Sequence, residues 1–317
     1  MFNKLLIISG PTASGKTDLA VKIAKKFKGE LISADSRQIY RELDIGTGKD
    51  HPKDIQVHLV DLIEPNQTFS VSQYRQLALE KISEIQANGK LPILVGCSGF
   101  YIDAVINPKY DTFAIKPIFF LRKLLFRLPV SFLQLFLKII DKNTFLKLNN
   151  SDLHNPLRLV RKIEIKISSK NKKCPPLSKG GLRGDCLHLS LTAPKQHLYD
   201  RIDARVESRL KLGYIKELKS LLKKYKWSDP GLKISAYKVF STTNPIDQIK
   251  QKWKYAEHGD ARRQLTWFKK YVNGIFIDIT KPNYEAEVIN IVNKFIKSPL
   301  SKVPRSSEGR DLEGFGF

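Results

Sequence analysis

Apolar and polar positions change their period several times along the first hundred residues. Leu5-Leu6-Ile7-Ile8 is a short unbroken apolar run of strand length, and Leu19-Ala20-Val21-Lys22-Ile23-Ala24 follows at helical spacing. A short strand is predicted at Leu31-Ile32-Ser33 and an apolar stretch at Val57-His58-Leu59-Val60. Next come a helix from Ser70 to about Gln86 and a strand over Leu91-Pro92-Ile93-Leu94-Val95. Strands alternating with helices predict a parallel sheet covered by helices. From 107 to 152 the pattern is helical without strands, which reads as an insertion carried on the sheet domain. After 190 the chain is mainly amphipathic helix, with one further short strand at Gly274-Ile275-Phe276-Ile277-Asp278. Residues 168–186 and the tail from Ser298 are loop by composition, and both contain Pro-Leu-Ser-Lys. They read as flexible additions, the tail 298–317 as disordered.

Between the first strand and the first helix stands Gly10-Pro11-Thr12-Ala13-Ser14-Gly15-Lys16-Thr17, which fits the phosphate-loop pattern G-x-x-x-x-G-K-[ST]. Gly10 and Gly15 allow successive amides to turn toward an anion, and the helix N-terminus adds its positive dipole end. Lys16 adds a point charge, and Thr17 offers a hydroxyl to magnesium. The motif calls for a bound polyphosphate without saying which one. The fold class expected is α/β, a phosphate-loop-type parallel sheet flanked by helices with a helical insertion. Residues 1–106 would form the first part of the core, 107–152 the insertion and 153–297 the continuation of the core.

Charge adds a partner to this picture. The 317 residues carry a net charge of +24, yet 1–106 hold 13 Lys/Arg and 12 Asp/Glu out of totals of 55 and 31. The excess therefore lies almost wholly beyond the phosphate loop, a distribution that suits a polyanion larger than a nucleotide, above all nucleic acid. The cysteines at 97, 174 and 186 form no CxxC pair, and the six histidines have no ligand spacing, so a reducing, cytoplasmic setting without structural zinc is expected. The chain opens directly into a strand, with no signal peptide expected. Residues 113–140 are the most apolar stretch. Lys116, Arg122, Lys123, Arg127 and Lys138 interrupt them, and the longest uncharged run, 128–137, is too short to span a bilayer. Helices with apolar faces, split at Pro129, are the expectation.

Several positions carry chemistry. Asp35 follows the strand Leu31–Ser33, at the sheet end that faces the phosphate loop, and is a candidate general base or metal ligand. It could equally cap a helix at 36–40. Asp61 ends the next apolar stretch and is a second candidate for holding magnesium. Arg201, Arg205 and Arg209 recur every fourth residue beside the stripe Leu198, Ile202, Val206, Leu210. That ridge is either solvated or able to clamp a diphosphate bidentately. Arg262-Arg263-Gln264-Leu265-Thr266-Trp267-Phe268-Lys269-Lys270-Tyr271 interleaves cations with rings. It suits phosphate contacts and base stacking, or a core helix with a basic outer face.

Taken together, GPTASGKT at 10–17, LISADSRQIY at 31–40, DIGTGK at 44–49, HLVDLIEPNQTFSVSQYR at 58–75, LPILVGCSGFY at 91–101, NPLRLVRKIEI at 155–165, LYDRIDARVESRLKLGYIKEL at 198–218 and RRQLTWFKK at 262–270 resemble the tRNA dimethylallyltransferases, also called tRNA isopentenyltransferases. The resemblance covers most of residues 1–280. It implies transfer of a dimethylallyl group from dimethylallyl diphosphate to the exocyclic amine of the adenosine 3′ of the anticodon. It further implies a monomer without membrane attachment, with Mg²⁺ as cofactor and Thr17 as its protein ligand. The loop Gly10–Thr17 then grips the isoprenoid diphosphate, Asp35 is the base, and Thr12 and Arg205 share the catalytic site. Ser98 falls near the flipped adenosine. The tRNA contacts map to Asp35, Ser36, Arg37 and Gln38; to Leu157, Arg158, Leu159, Val160 and Arg161; to Lys233 and Lys238; and to Arg262, Arg263, Gln264, Trp267 and Lys269. Cys97 stands where the family favours a second glycine, Ala236 replaces a glycine, and Glu257-His258 replace Thr-Arg. A phosphate-loop kinase or nucleotide hydrolase, and a tRNA-binding protein with little catalysis, are the alternatives.

Overall fold

The structure is a computed structural model that describes residues 4–49, 52, 54–107, 110, 118–171, 185–242 and 245–299. It divides into two units, 1–107 with 182–300 and 108–181 with 301–317.

The first unit is built on β1 (Lys4–Ser9), α1 (Lys16–Phe27), β2 (Gly29–Ser33), β3 (Val57–His58), α2 (Val71–Ala87), β4 (Leu91–Gly96) and α3 (Gly99–Ile106). Its six-stranded sheet has the order β3-β2-β4-β1-β5-β6, with every pair parallel. Here β5 is Asp185–Thr192 and β6 is Ile275–Asp278. β1 lies between β4 and β5, with Ile8 in register with Val95 and Leu189. Packed side chains, chiefly from helices, cover both of its faces, which is why its sequence is a continuous apolar run rather than an alternation. Leu5 and Ile7 pack on one side with Tyr74, Ile202, Val206 and Phe268. Leu6 and Ile8 pack on the other with Leu19, Ile23, Val288 and Val292. Each such side chain contributes roughly 1.5–3 kcal/mol by leaving water.

Local chemistry sets the element ends. Ser70 caps α2 through a capping box with Gln73, each side chain accepting from the other's backbone amide. No helix follows Asp35. Residues 36–39 are turns, and Asp35 Oδ1 accepts from the Arg37 amide at 2.9 Å, so the side chain caps a turn where a helix cap had been an alternative.

The second unit contains α4 (Phe119–Leu125), α5 (Val130–Ile140), α6 (Lys142–Leu146), α7 (Asn150–Leu153) and α8 (Pro156–Asn171). Pro129 is the N-cap of α5, splitting the apolar stretch as expected. Leu125, Leu133, Leu137, Leu159, Val160 and Ile163 form a separate core. Within it the buried Glu164 carboxylate takes Arg122 in a two-bond fork, at 2.7 and 2.9 Å. Two boundaries move accordingly. Helix α8 belongs to this unit, so the insertion does not stop at 152. The segment assigned to loop from 168 remains helical to Asn171, and β5 begins at Asp185. The remainder of that segment, with Cys174, and the tail from Leu300 lie outside the described residues.

The first unit is completed by α9 (Lys195–Lys211), α10 (Tyr214–Leu222), α11 (Ser235–Lys238), α12 (Ile246–Tyr271) and α13 (Tyr284–Lys297). Because all strands are parallel, their carboxyl ends share one rim. β1 has β4 on one side and β5 on the other, so the loops after β1, β2 and β4 open into one crevice at the point where strand order reverses.

Candidate active site

The crevice is a cleft of about 270 Å³ lined by Thr12, Ala13, Gly15, Lys16, Thr17, Asp18, Asp35, Arg37, Gln38, Gly46–Gly48, Cys97, Arg201, Arg205, Arg209 and Glu257, among others. Gly15 caps α1 in the left-handed region at φ 75°, with no side chain closing the helix start. Its first amides are thus left to an anion. Lys16 folds back over the loop, its Nζ 2.6 Å from the Pro11 carbonyl and 3.4 Å from Ser14 Oγ. The Thr12 amide donates to Gln264 Oε1 at 2.8 Å. Gln264, expected against tRNA, braces the phosphate loop from α12 in this structure.

Asp35 faces this loop from the end of β2. Its second oxygen, Oδ2, accepts from the Cys97 thiol at 3.1 Å. Burial, reinforced by the Asp35 charge, pushes that thiol up to about 12, so Cys97 stays a protonated donor. Tyr74 and Tyr101 stack at 4.0 Å beneath the turn, and the Tyr74 hydroxyl donates to the Ser33 carbonyl. Ser36 and Ser98 are tied together, the Ser36 amide donating to Ser98 Oγ at 2.9 Å. Gln38 donates to the Gly48 carbonyl at 3.2 Å.

The arginine ridge divides. Arg201 and Arg205 reach the cleft, and Arg205 Nη2 donates to Thr12 Oγ1 and lies 3.1 Å from Glu257 Oε2. Arg209, on the ridge left open between solvent and a diphosphate, is 5% exposed. It packs over Gly48, where a Cβ would strike the guanidinium. Burial, and then the neighbouring charge of Arg205, lower its pKa to about 10. Arg37 is raised in spite of burial, because Glu257 and Asp260 surround it. The turn at 44–48 is itself held by the Glu217 carboxylate, which accepts from the amides of Asp44, Ile45 and Gly46 at 2.6–3.0 Å. Sequence reasoning gave no role to Glu217 or Glu257, and left Arg209 in a ridge either solvated or able to clamp a diphosphate. The glycine pair Gly46-Thr47-Gly48 was the signal available for the turn.

Other expected residues separate. Asp61 pairs with Lys49 and is not among the cleft residues, so it is not a rival to Asp35. Lys233, Lys238, Arg262, Arg263 and Lys269 are exposed, Arg263 pairing with Asp260. Trp267 packs its ring on Gly99 and lies 5.1 Å from the Tyr271 ring. On α8, Leu157 is exposed, while Arg158 pairs with Asp152 and Arg161 with Glu164. Leu159 and Val160 are fully buried in the second unit's core, so their side chains are packing residues and not tRNA contacts. No cluster of three His, Cys, Asp or Glu able to hold a metal occurs among the described residues. A cation here would be held by ligand oxygens, water and a hydroxyl such as Thr17, in the manner of magnesium.

An anion cradle, a carboxylate and a cation wall at the switch point of a parallel sheet define a phosphate-loop-type group transferase. The IPP transferase family model matches residues 38–271, and the chain belongs to that family. The tRNA dimethylallyltransferase of Acetivibrio thermocellus is 33% identical over 317 residues, covering 93% of this chain and 97% of the relative. That of Pseudothermotoga lettingae is 32% identical, covering 92% and 95%. The crystal structure of a full-length tRNA isopentenylpyrophosphate transferase from Bacillus halodurans superposes with a TM-score of 0.66 at 29% identity, covering 93% and 97%. A eukaryotic dimethylallyltransferase acting on tRNA reaches 0.77 at 23% identity, covering 92% and 79%, a likeness of fold. The kinase and non-catalytic alternatives are not favoured.

Proposed function

We propose that this protein transfers a dimethylallyl group from dimethylallyl diphosphate to the exocyclic amine of the adenosine 3′-adjacent to the anticodon of tRNA. The single observation that carries the reading is Asp35 facing an anion-binding loop across one cleft, in a chain of the IPP transferase family. The allylic C–O bond breaks, the N–C bond forms, the amine proton passes to Asp35 and diphosphate leaves. A carboxylate has about four lone-pair sites. With one donor on each oxygen, Asp35 keeps capacity for that proton. The loop amides, Lys16, Thr12 and Arg205 neutralise charge growing on the leaving group. Magnesium, with Thr17 as its protein ligand, supplies further charge neutralisation when bound. The adenine must leave its stack to reach the cleft, where Arg37 and Gln38 line the wall and Ser36 and Ser98, bonded to each other, follow the lining residues Asp35 and Cys97 in the chain. The exposed cations Lys233, Lys238, Arg262 and Lys269 hold the tRNA backbone. The enzyme acts as a monomer in the cytoplasm. No helix among the described residues is long and apolar enough to cross a membrane.

Incubation of unmodified tRNA with the protein, Mg²⁺ and dimethylallyl diphosphate, followed by nucleoside mass spectrometry, tests the reading. A prenylated adenosine is expected. Its absence, or ATP hydrolysis stimulated by a small molecule in its place, would overturn it.

A further inference from the structure

Glu257 lies mid-way along α12, is 1% exposed, and still lines the cleft. Three guanidinium groups converge on its carboxylate. Arg205 Nη2 is 3.1 Å from Oε2, while Arg37 Nη1 and Arg209 Nη1 are 3.6 and 3.8 Å from Oε1. Trp253 Nε1 adds a 3.4 Å contact to Oε1. Each arginine has a second attachment. Arg37 reaches Asp260, Arg205 reaches Thr12 of the phosphate loop, and Arg209 packs on Gly48. Arg205 Nε is buried without a hydrogen-bond partner, so this fork is only partly satisfied. A buried carboxylate with several guanidinium donors has the charge and geometry of a phosphate oxygen pair.

We propose that Glu257 is a positioning residue that acts as a built-in substitute for the diphosphate. It holds Arg205 aimed at the phosphate loop in the empty cleft, then competes with the incoming diphosphate for that arginine. This rests on the reading of the cleft as the diphosphate site. Without Glu257, Lys16, Arg37, Arg205 and Arg209 would repel one another where dielectric screening is weak. With it, the arginines are ordered beforehand. The same negative charge opposes the polyanion that Arg205 must clamp, so affinity for both prenyl donor and released diphosphate is held down.

The test is calorimetric titration of the full chain with inorganic pyrophosphate and Mg²⁺, beside the Michaelis constant for dimethylallyl diphosphate. Glu257→Gln keeps the shape and removes the charge. It is expected to tighten pyrophosphate binding about tenfold or more and to lower the donor constant in parallel, with the tRNA constant unmoved. Glu257→Asp keeps the charge and stays within about threefold of the parent. A merely structural role would lower stability or weaken binding, and cannot tighten it. Unchanged or weaker pyrophosphate binding by folded Glu257→Gln, or equal tightening by Glu257→Asp, overturns the proposal. Should Glu257→Gln fail to fold, Glu257→Thr, which removes the charge with the residue the family favours at this position, takes its place. That variant must then show the tightening, and its absence overturns the proposal. A parent enzyme that binds no pyrophosphate overturns the diphosphate reading itself, and the role of Glu257 with it. A parent that binds, beside a Gln variant that does not tighten, overturns the role of Glu257 alone.

Discussion

The Cys97 thiol donates to Oδ2 of Asp35 across 3.1 Å, so the carboxylate assigned the proton is held on both oxygens, by Cys97 on one and the Arg37 amide on the other. The Cys97 site is buried, and its thiol is held protonated up to about pH 12. Because the thiolate is the reactive species, iodoacetamide at pH 8 is expected to leave Cys97 unmodified in the native protein and to label it fully in urea. Mass mapping of the peptide reads this directly. Rapid native labelling of Cys97 would contradict the packing around Asp35.

Asp35→Asn keeps the shape of the turn cap and removes the base. The single-turnover rate should fall about 100-fold or more, the usual scale for losing a general base, with tRNA affinity nearly unchanged. A rate within a few-fold of the parent enzyme excludes Asp35 as the base.

Arg205 and Arg209 are expected to fail in different ways. Arg205→Lys loses the planar fork over the phosphate loop and should raise the donor Michaelis constant by roughly 10-fold or more, leaving the tRNA constant in place. Arg209→Ala removes a buried group that fills the space over Gly48. It should lower unfolding stability by about 1–3 kcal/mol in urea titrations. A chiefly tRNA-directed effect of Arg205→Lys would move that residue to the nucleic-acid surface.

Salt should act on tRNA through the exposed cations. The logarithm of tRNA affinity is expected to fall linearly with the logarithm of salt concentration, with a slope of several units. Changing Lys233, Lys238, Arg262 or Lys269 singly to Ala should reduce that slope by about 1. Filter-binding titrations at several salt concentrations decide it, and a flat response would remove these residues from the interface.

Asp260 gives a pH signature. Burial raises its pKa, but Arg37, Ser235 and Arg263 outweigh burial and leave it lowered in the folded state. A lowered folded value means that its contribution is complete above the unfolded value of about 3.9 and is lost as pH falls through the folded value. Asp260→Asn should therefore be less stable than the parent at pH 7, and the gap should narrow below about pH 3.9. A gap of constant size across that window would assign the loss to packing instead of charge.

The sequence by itself determined five of the six sheet strands and the phosphate loop, because both depend on neighbours in the chain, whereas β5 (Asp185–Thr192) was not predicted and its first two residues were assigned to loop. Leu5–Ile8 must be a strand covered on both faces, Ser70 must start a helix, and Gly10–Thr17 must form an amide-lined turn. These are local periodicities and local backbone geometry. The family was legible in the same way, through the order of short segments. What only the tertiary structure decided is which charged side chains meet. Arg209 and Arg205 occupy equivalent positions on one helical stripe, yet one is buried over Gly48 and the other reaches Thr12. Asp35 and Asp61 both end apolar stretches, yet only the first faces the cleft. Leu159 and Val160 sit inside a basic, tRNA-like segment and are core. Glu257 is 52 residues from Arg205 along the chain and 3.1 Å from it in space. Charge has no periodicity that reports its distant partner. The packing of α9 against α12 determines the partner.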